Sequence, residues 1–259
     1  VVALTMAFSL ALVFTSCTDN KAPVNEENST EAEAAGSMTA TEGVLVMATN
    51  AAFPPYEFVE GGDYAGIDVE IAEKIAEKLG MTLEIKDVEF GSIVGGVQTG
   101  KFDMGMAGMT VTDERLQSVN FSTSYATGIQ SIIVTEDSEI DSIDTLIAGD
   151  YIVGTQDATT GDIYMRDEIG DDRVSSFYSA GEAVLALQTG RIDCVVIDNQ
   201  PALSFVAANE GLMILETPYA VEDYAIAIAK DNEELLADIN EALAALAADG
   251  TIDEIISRY

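Results

Sequence analysis

The sequence predicts an α/β fold built from two similar lobes, and three observations support this prediction. Strand-like apolar runs alternate with amphipathic helical patterns along the chain, which is typical of largely parallel sheets. The length of 259 residues exceeds that of a usual single domain. In addition, the motif Gln98–Asp103 (QTGKFD) recurs as Gln188–Asp193 (QTGRID), and an apolar run follows each copy.

Each copy of this repeated motif has the pattern of a helix end, a glycine that stops the helix, a basic residue and a strand that begins with aspartate. The copies are too far apart for a solenoid repeat. Their separation suits two lobes of similar construction.

The strands and helices follow from local patterns. Apolar runs predict strands at 44–48, 83–88, 103–107, 131–135, 151–154, 193–197 and 225–229. Helical spacing predicts a helix over 68–79, stopped by Gly80, and another over 232–248 with acidic residues in its first turn. Residues 251–254 (TIDE) have the pattern of a capping box that opens a short last helix.

The N-terminus has the pattern of an export signal. Residues 1–16 are almost all apolar or small and end at Cys17, and the run is too short to span a membrane comfortably. Small residues just before a cysteine are similar to a bacterial lipobox, although Phe14 stands where leucine is usual. We expect a lipoprotein signal over 1–17, truncated at its start, with lipidation at Cys17; an ordinary signal with an incidental cysteine is the alternative.

Residues 18–42 are polar and small, so they cannot bury enough apolar surface to offset the entropy of ordering. We expect a flexible spacer there and a folded body from Val44 onward. The lipid on Cys17 would then hold the body outside the cell membrane.

Composition excludes several classes of function. The formal net charge of −35 disfavours nucleic acid as a partner, because so negative a body repels phosphate. The chain has no histidine, which removes Ser-His-Asp and Cys-His catalysis and histidine zinc motifs. The two cysteines, Cys17 and Cys194, cannot form a zinc site alone. No EF-hand spacing is present. We expect no metal and no cofactor.

The segment after the third predicted strand, AGMTVTDER at 107–115, offers groups for an anion. Small residues such as Ala107 and Gly108 let backbone N–H groups approach a ligand, and Thr110 adds a hydroxyl. Arg115 carries a planar fork of donors that suits a carboxylate. A surface arginine paired with the acids at 113–114 is the alternative interpretation.

Two further strand ends carry polar side chains. Thr159 and Thr160 lie at a strand-to-helix junction, where they predict either an anion contact or a helix N-cap. Asp198 follows a wholly apolar strand and therefore needs a partner, either a helix N-terminus or a ligand ammonium group. Since ligands of open α/β sheets bind beyond the strand ends, these segments predict a cleft between the lobes.

The loop after the first strand supplies an aromatic wall. Two consecutive prolines stiffen it and present Phe53 and Tyr56, and a held aromatic ring suits stacking on a small ligand. A hydrophobic plug under the loop is the alternative, and it suits Tyr56 and Phe58 better than Phe53. Phe90 is a weaker candidate for the same wall.

Taken together, these segments resemble the bacterial extracellular solute-binding proteins of family 3, which serve polar amino-acid ABC importers. The resemblance covers about 44–259. It rests on ATNAAFPPYEF (48–58), GIDVEIAEKIAEKLG (66–80), AGMTVTDER (107–115), the turn at 159–162, GRIDCVVIDN (190–199) and ADGTIDEIISRY (248–259).

This resemblance implies a type II periplasmic-binding-protein fold, in which two lobes of mostly parallel sheet and flanking helices are joined by two crossing hinge strands. By position the crossings fall near 126–129 and 221–224. One lobe would then comprise 43–126 plus 225–259, and the other 127–224.

The resemblance also implies roles for the site. Arg115 would clamp an α-carboxylate, with the backbone N–H groups of Gly108 and Thr160 and the hydroxyl of Thr110 completing that anion site. Asp198 would take the α-ammonium group. The residues expected at the ligand are Asn50, Phe53, Phe90, Ala107, Gly108, Thr110, Arg115, Thr159, Thr160 and Asp198.

The ligand side chain would stack on Phe53, with Phe90 opposite. Several relatives, especially those for basic amino acids, have aspartate where this chain has Asn50, so a neutral polar amino acid is slightly favoured. The net charge of −35 would favour cationic ligands at long range, although salt screens it. The residues 156–158 (QDA) also depart from the usual glycine-containing turn. The expected partners are a free amino acid, an ABC permease with its ATPase and, through the lipid, the cell membrane; the protein would act as a monomer.

Two other functions stay open. Some proteins of this fold are dehydratases of aromatic pre-amino acids, which need an acid to protonate a leaving hydroxyl. Glu57 and Asp198 are the nearby carboxyl groups, and neither has an evident neighbour that would raise its pKa. The other alternative is a sensory module that signals ligand binding to a membrane receptor.

Overall fold

The computed structural model describes residues 38–215 and 220–259. The signal predicted over 1–17, the lipidation of Cys17 and most of the predicted spacer lie outside the described residues. None of the helices within the described ranges combines the length and apolar character needed to cross a bilayer.

The helices and strands alternate as predicted. The strands are β1 (Val44–Thr49), β2 (Ala52–Phe53), β3 (Glu57–Glu60), β4 (Asp63–Ala65), β5 (Thr82–Asp87), β6 (Met104–Gly105), β7 (Val119–Phe121), β8 (Ala126–Thr135), β9 (Val153–Gln156), β10 (Val174–Phe177), β11 (Cys194–Asp198), β12 (Leu212–Ile214), β13 (Ala220–Tyr224) and β14 (Ala227–Ala229). The α-helices are α1 (Ile67–Leu79), α2 (Ile93–Gln98), α3 (Arg115–Ser118), α4 (Ile143–Ala148), α5 (Thr160–Ile169), α6 (Ala180–Gln188), α7 (Asn199–Ala208), α8 (Glu233–Ala248) and α9 (Thr251–Ser257). Short 3-10 helices occupy Phe90–Ser92 and Asp171–Arg173.

Two main sheets form the two lobes. The first has the strand order β5-β1-β6-β14-β7, and the second has β10-β9-β11-β8-β12 with β13 also paired to β8. A small antiparallel sheet, β2-β3-β4, belongs to the loop region after β1 and was not predicted.

Both main sheets are mixed, which corrects the expectation of mostly parallel sheets. Strand β1 pairs in parallel with β5 and β6, and β9 pairs in parallel with β10 and β11. Strands β14 and β8 pair antiparallel with all their neighbours. The chain enters the second sheet from the first along β8 and re-enters the first sheet from the second along β14, so no helical crossover of the kind that joins parallel neighbours leads into either strand.

The two segments predicted as crossings form one antiparallel pair. β13 runs along β8 with Ala220 opposite Gln130 and Tyr224 opposite Ala126. The chain therefore passes from the first sheet to the second along β8 and returns along β13 to β14. The lobe boundaries inferred from the resemblance stay a prediction.

The predicted helices lie close to their expected bounds, but one end motif is wrong. Helix α1 ends at Gly80 in the left-handed conformation, as the sequence predicted. The capping box at 251–254 does not form, because Thr251 is already the first residue of α9 and Gly250 holds the N-cap position. The Thr251 hydroxyl instead donates to Asp249 at 2.6 Å.

Both copies of the repeated motif take the expected form. Gly100 and Gly190 have φ of 70° and 68°, a conformation that favours glycine after a helix end. The N–H of Asp103 donates to Val46 O at 3.0 Å, and the N–H of Asp193 donates to Ile152 O at 2.9 Å. Each aspartate carboxylate then accepts the N–H of that same neighbouring residue, at 2.8 and 2.7 Å.

Within the described residues the folded body already includes Met38, so the prediction of a spacer up to residue 42 is wrong for residues 38–42. Thr39 is buried. The N–H of Ala40 donates to Asp103 at 2.8 Å, and the carbonyl of Met38 accepts from Asn232 at 2.8 Å. Specific backbone hydrogen bonds order this stretch even though its composition is polar.

Candidate functional site

A cavity lies where the strand ends of the two lobes meet. Its empty space, including the part open to solvent, is about 320 Å³. The lining residues are Asn50, Phe53, Glu57, Phe90, Ala107, Gly108, Thr110, Arg115, Gln156, Thr159, Thr160 and Asp198. The structure thus brings all ten predicted residues to one cavity, together with Glu57 and Gln156. Their roles as ligand contacts stay a prediction.

Arg115 is a buried residue at the start of α3, and the alternative of a surface arginine is wrong. Its Nη1 donates to Thr110 O at 2.7 Å, and its Nη2 donates across the cleft to Ala158 O at 3.1 Å. The guanidinium carbon lies 5.2 Å from the centre of the Phe90 ring. Burial lowers the pKa of Arg115, while Glu222 opposes this change. The group stays charged because arginine titrates far above neutral pH.

Phe90 is therefore placed under the arginine, where a cation–π contact holds the guanidinium plane. Phe53 is buried and stacks on Tyr56 with ring centres 6.2 Å apart. Tyr56 and Phe58 pack beneath the loop, against Tyr224 and Tyr259 respectively, as the plug interpretation predicted.

Two groups expected at a ligand carboxylate already have partners. The N–H of Gly108 donates to Asp68 at 2.8 Å, and the Thr110 hydroxyl donates to Glu222 at 3.2 Å. Buried carboxylates behind the cavity wall hold both groups, and their part in a ligand's anion site stays a prediction. Gly108 still needs to be glycine, because its φ is 51° and an added Cβ would lie 3.2 Å from the Phe53 ring.

The N-cap interpretation is confirmed for Thr159. Its hydroxyl accepts the N–H of Asp162 at 3.4 Å at the start of α5. Thr160 is the first residue of α5, where backbone N–H groups have no helical partner and a helix end attracts anions. This end of α5 faces the cavity beside Arg115.

Asp198 ends β11 and finds a partner that the sequence did not indicate. It sits at the N-cap of α7 without a side-chain cap bond, and the Tyr224 hydroxyl donates to its Oδ1. Burial raises the pKa of Asp198 to about 7, and the nearby Glu222 adds to the rise. Burial thus favours the protonated form of Asp198, and a cation in the cavity would favour its ionisation.

Three buried carboxyl groups near the cavity were not predicted as ligand contacts, although Glu57 was named as a candidate acid for a dehydratase. Glu222 accepts from Thr110 and Gln130 at 3.2 and 3.0 Å, and its second oxygen has no partner. Asp68 lies behind Gly108, and burial raises its pKa to about 7. Glu57 lines the cavity, and burial raises its pKa well above the usual range. The expectation that neither Glu57 nor Asp198 has a neighbour that would raise its pKa is therefore wrong: burial is the largest cause in both cases, and Asp68 and Glu222 respectively add to the rise.

Sequence patterns could have indicated the burial of only one of these three acids. Glu222 alternates with Tyr224 along the predicted second crossing, so both side chains share the buried face of β13. Asp68 looks like an ordinary acid in the first turn of a helix, and Glu57 looks like a loop residue.

Gln156 links the two lobes at the other end of the cavity. Its Nε2 donates to Asn50 Oδ1 at 2.9 Å, and Asn50 donates in turn to Val88 O at 2.8 Å. This is the contact made by the turn that departs from the usual pattern. Among the residues that the structure describes, no group of three His, Cys, Asp or Glu side chains is arranged to hold a metal ion.

Similarity to known proteins identifies the family of this chain. Residues 45–259 match the family model of bacterial extracellular solute-binding proteins, family 3. The chain is 29% identical over 222 residues to a probable histidine-binding protein of Neisseria gonorrhoeae, covering 83% of this chain and 82% of the relative.

The solved structures similar to this chain include amino-acid-binding proteins. An ancestral arginine-binding protein bound to glutamine is 38% identical, with a TM-score of 0.79 over 85% of this chain and 98% of the other. The ancestral amino acid-binding protein AncCDT-1, a precursor of cyclohexadienyl dehydratase, is 31% identical, with a TM-score of 0.78 over 84% and 95% of the two chains. The chain belongs to family 3 of the bacterial extracellular solute-binding proteins.

Proposed function

We propose that this protein captures a free polar α-amino acid between its lobes and delivers it to an ABC importer. One observation carries the proposal: Arg115 and Asp198 approach a single cavity from different lobes. A guanidinium and a carboxylate on opposite sides match the two charged groups shared by all free α-amino acids. Relatives named for binding histidine or arginine support the same ligand class.

In this proposal Arg115 holds the α-carboxylate, helped by the first N–H groups of α5, and Asp198 holds the α-ammonium group. Phe53 covers the ligand side chain. The lobes are 43–126 plus 225–259 and 127–224, and they hinge at the β8–β13 pair. Because each lobe holds one end of the ligand, binding stabilises the closed form.

The proposal includes export and attachment. We infer that residues 1–17 are a lipoprotein signal, that Cys17 carries the lipid, and that the protein works as a monomer with an ABC permease and its ATPase. Family membership supports an extracytoplasmic location.

Binding is tested by thermal shift of the purified protein against the twenty amino acids, each with its α-methyl ester and des-amino analogue. A ligand that binds only the folded state at a hundredfold excess over Kd adds about 2.7 kcal/mol of stability. We expect at least one polar amino acid to raise Tm while both of its analogues fail. If no amino acid raises Tm, the proposed ligand class is wrong.

A dehydratase is the second candidate, because burial raises the pKa of Asp198 to about 7 and that of Glu57 well above its usual range, which favours the protonated form that a general acid needs. The relation to a dehydratase precursor favours the same test. We propose that this protein binds without catalysis, so incubation with a hydroxylated cyclohexadienyl acid should yield no aromatic product. Turnover that Asp198→Asn abolishes would establish the enzyme instead.

A further inference from the structure

Two uncharged polar side chains bond directly to each other across the cleft. Asn50 follows β1 of the first sheet, and Gln156 ends β9 of the second sheet. The Nε2 group of Gln156 donates to Asn50 Oδ1 at 2.9 Å, and Gln156 is only 6% exposed. Because the two residues belong to different sheets, separating the lobes would break this bond and return both amides to water.

Each of these amides is also held within its own lobe. Asn50 Nδ2 donates to Val88 O at 2.8 Å, just after β5, and Gln156 Nε2 also donates to Tyr178 O at 3.3 Å, just after β10. These bonds fix both side chains in place before the lobes meet, so little rotamer entropy is lost when the pair forms. The pair should therefore favour the closed arrangement over the open one by about two- to tenfold, which is the net effect of one hydrogen bond.

The turn that contains Gln156 makes two more contacts with the first lobe. The carbonyl of Ala158 accepts from Arg115 Nη2 at 3.1 Å. Ala158 has a φ of 62°, and Gly91 lies opposite its methyl group: a Cβ added to Gly91 would lie 3.2 Å from the Cβ of Ala158. The missing side chain at Gly91 thus lets the turn 156–158 come close to the first lobe.

These contacts connect two departures from the family pattern that the sequence presents separately. Asn50 stands where several relatives have aspartate, and the turn 156–158 lacks the usual glycine. The structure shows that the two departures are partners. The oxygen of Asn50 accepts from Gln156 and one of its two amide hydrogens is donated to Val88, so little of its hydrogen-bonding capacity is left for a ligand.

We propose that Asn50 and Gln156, here called the interlobe pair, stabilise the closed arrangement of the lobes whether or not an amino acid is bound, and that Asn50 does not select the ligand side chain. This inference rests on the proposed lobes and function. Because ligand binding needs the closed arrangement, a contact that favours closing raises the affinity for every ligand by the same factor. A contact to the ligand side chain would instead raise the affinity for some ligands only.

The chain offers a matched control for the interlobe pair. Gln188 Nε2 donates to Asn209 Oδ1 at 3.1 Å, so the same two side chains form the same bond elsewhere. Gln188 ends α6 and Asn209 follows α7, and both belong to the second lobe. Gln188→Ala therefore removes an equivalent bond that closing neither makes nor breaks.

Small-angle X-ray scattering of the ligand-free protein tests the effect on closing. Asn50→Ala and Gln156→Ala should each lower the ratio of closed to open molecules by about two- to tenfold, and so raise the radius of gyration. The double variant should match the single ones, because either change already removes the bond. Gln188→Ala should scatter like the unchanged protein.

Titration calorimetry with glutamine and arginine tests the effect on selection, because these ligands share their α-groups and differ in side-chain length and charge. Asn50→Ala and Gln156→Ala should raise both Kd values by the same factor, about two- to tenfold, while Gln188→Ala should change neither. If either variant changes the ratio of the two Kd values by more than about threefold, that residue contacts the ligand side chain and the inference is wrong.

The outcomes separate this inference from the proposed function. If the radii and the Kd values of Asn50→Ala and Gln156→Ala equal those of the unchanged protein, the interlobe pair does not favour closing and the inference is wrong, while amino-acid binding stands. If no amino acid binds, the proposed function fails. The radii of the ligand-free variants then decide alone whether the pair favours closing, and equal radii would overturn the inference.

Discussion

The two lobes share a local motif but carry opposite charges to the cavity. In each lobe a helix ends in Gln-Thr-Gly, a basic residue follows, and an aspartate joins the next strand to its neighbour through paired backbone bonds. After this point the two segments of the chain differ. The strand after Asp103 spans two residues and leads through Gly108 to Arg115, whereas the strand after Asp193 spans five and ends on Asp198.

Strand length explains this divergence. A short β6 releases the chain early, so a loop with an arginine reaches the cleft. A long β11 carries its last residue to the sheet edge and into the N-cap of α7, so a carboxylate reaches the cleft. The same motif therefore precedes a positively charged side of the cavity in one lobe and a negatively charged side in the other.

The copies also differ in burial. Asp103 is buried, because Ala40 of the N-terminal stretch donates a second hydrogen bond to it, whereas Asp193 is exposed. The motif therefore contributes more to stability in the first lobe than in the second.

The largest expected effect on ligand affinity comes from removing the guanidinium group of Arg115. Arg115→Met deletes two charge-assisted hydrogen bonds to a ligand carboxylate, so Kd should rise at least about a hundredfold, or about 3 kcal/mol. Arg191→Met removes an exposed arginine of the second motif and should leave Kd unchanged. Calorimetry with the best ligand measures both. A change below threefold for Arg115→Met would contradict the account.

Removing the carboxylate of Asp198 should reduce ligand affinity by less. Asp198→Asn keeps the shape and loses the ion pair, so Kd should rise about ten- to a hundredfold. Asp193→Asn, an exposed change at the other end of the same stretch, is the control.

The same variant tests pH dependence. Because burial raises the pKa of Asp198 to about 7, the free protein binds a proton there as pH falls, and the ammonium must displace it. Affinity in the unchanged protein should therefore fall as pH decreases below about 7. In Asp198→Asn, the slope of log Kd against pH should be smaller in magnitude by about one. Equal slopes would show that Asp198 does not meet the ammonium group.

The two motif aspartates, Asp103 and Asp193, should contribute differently to the free energy of unfolding. Asp103→Ala leaves buried N–H groups unpaired and should lower the free energy of unfolding by about 2–3 kcal/mol, while Asp193→Ala should cost about 1 kcal/mol or less. Urea denaturation of the ligand-free variants measures both. Equal losses in the free energy of unfolding would show that the burial of Asp103 does not increase its contribution to stability.

The smallest expected effect concerns the N-terminal stretch. A chain that starts at Gly43 loses the bonds of Met38 and Ala40, so its free energy of unfolding should be about 1–2 kcal/mol below that of a chain starting at Met38. Coincident urea midpoints would mean that this stretch is a spacer, as its composition alone suggests.

Much of the cavity lining could be predicted from the sequence, because ligands of open α/β sheets bind beyond the ends of the strands. The segments holding Phe53, Thr110, Thr160 and Asp198 all follow strand-like runs, and the ends of strands from both lobes meet at one cleft. Arg115, the first residue of α3, could be placed there because small residues precede it at the strand end. The alternation of helices and strands likewise predicted the two-lobed α/β fold.

The partners of these groups could not be predicted, because they depend on contacts far apart in sequence. Asp68 takes the N–H of Gly108, and Glu222 takes the hydroxyl of Thr110, across separations of 40 and 112 residues. Local patterns also treat acids such as Glu57 as exposed. The antiparallel entry of β8 and β14 depends on the path of the chain between lobes, which helical and strand periodicity do not encode.

The central claim is that Arg115 in one lobe holds the α-carboxylate of a free amino acid whose ammonium group is held in the other. A double-mutant cycle measures this contact most directly, by titrating the unchanged protein and Arg115→Met with the best amino acid and with its α-methyl ester. The account predicts a coupling of about 1.5 kcal/mol or more, because the ester penalty should nearly disappear once the guanidinium is gone. Additive penalties would show that Arg115 and the carboxylate do not meet, and would contradict the account.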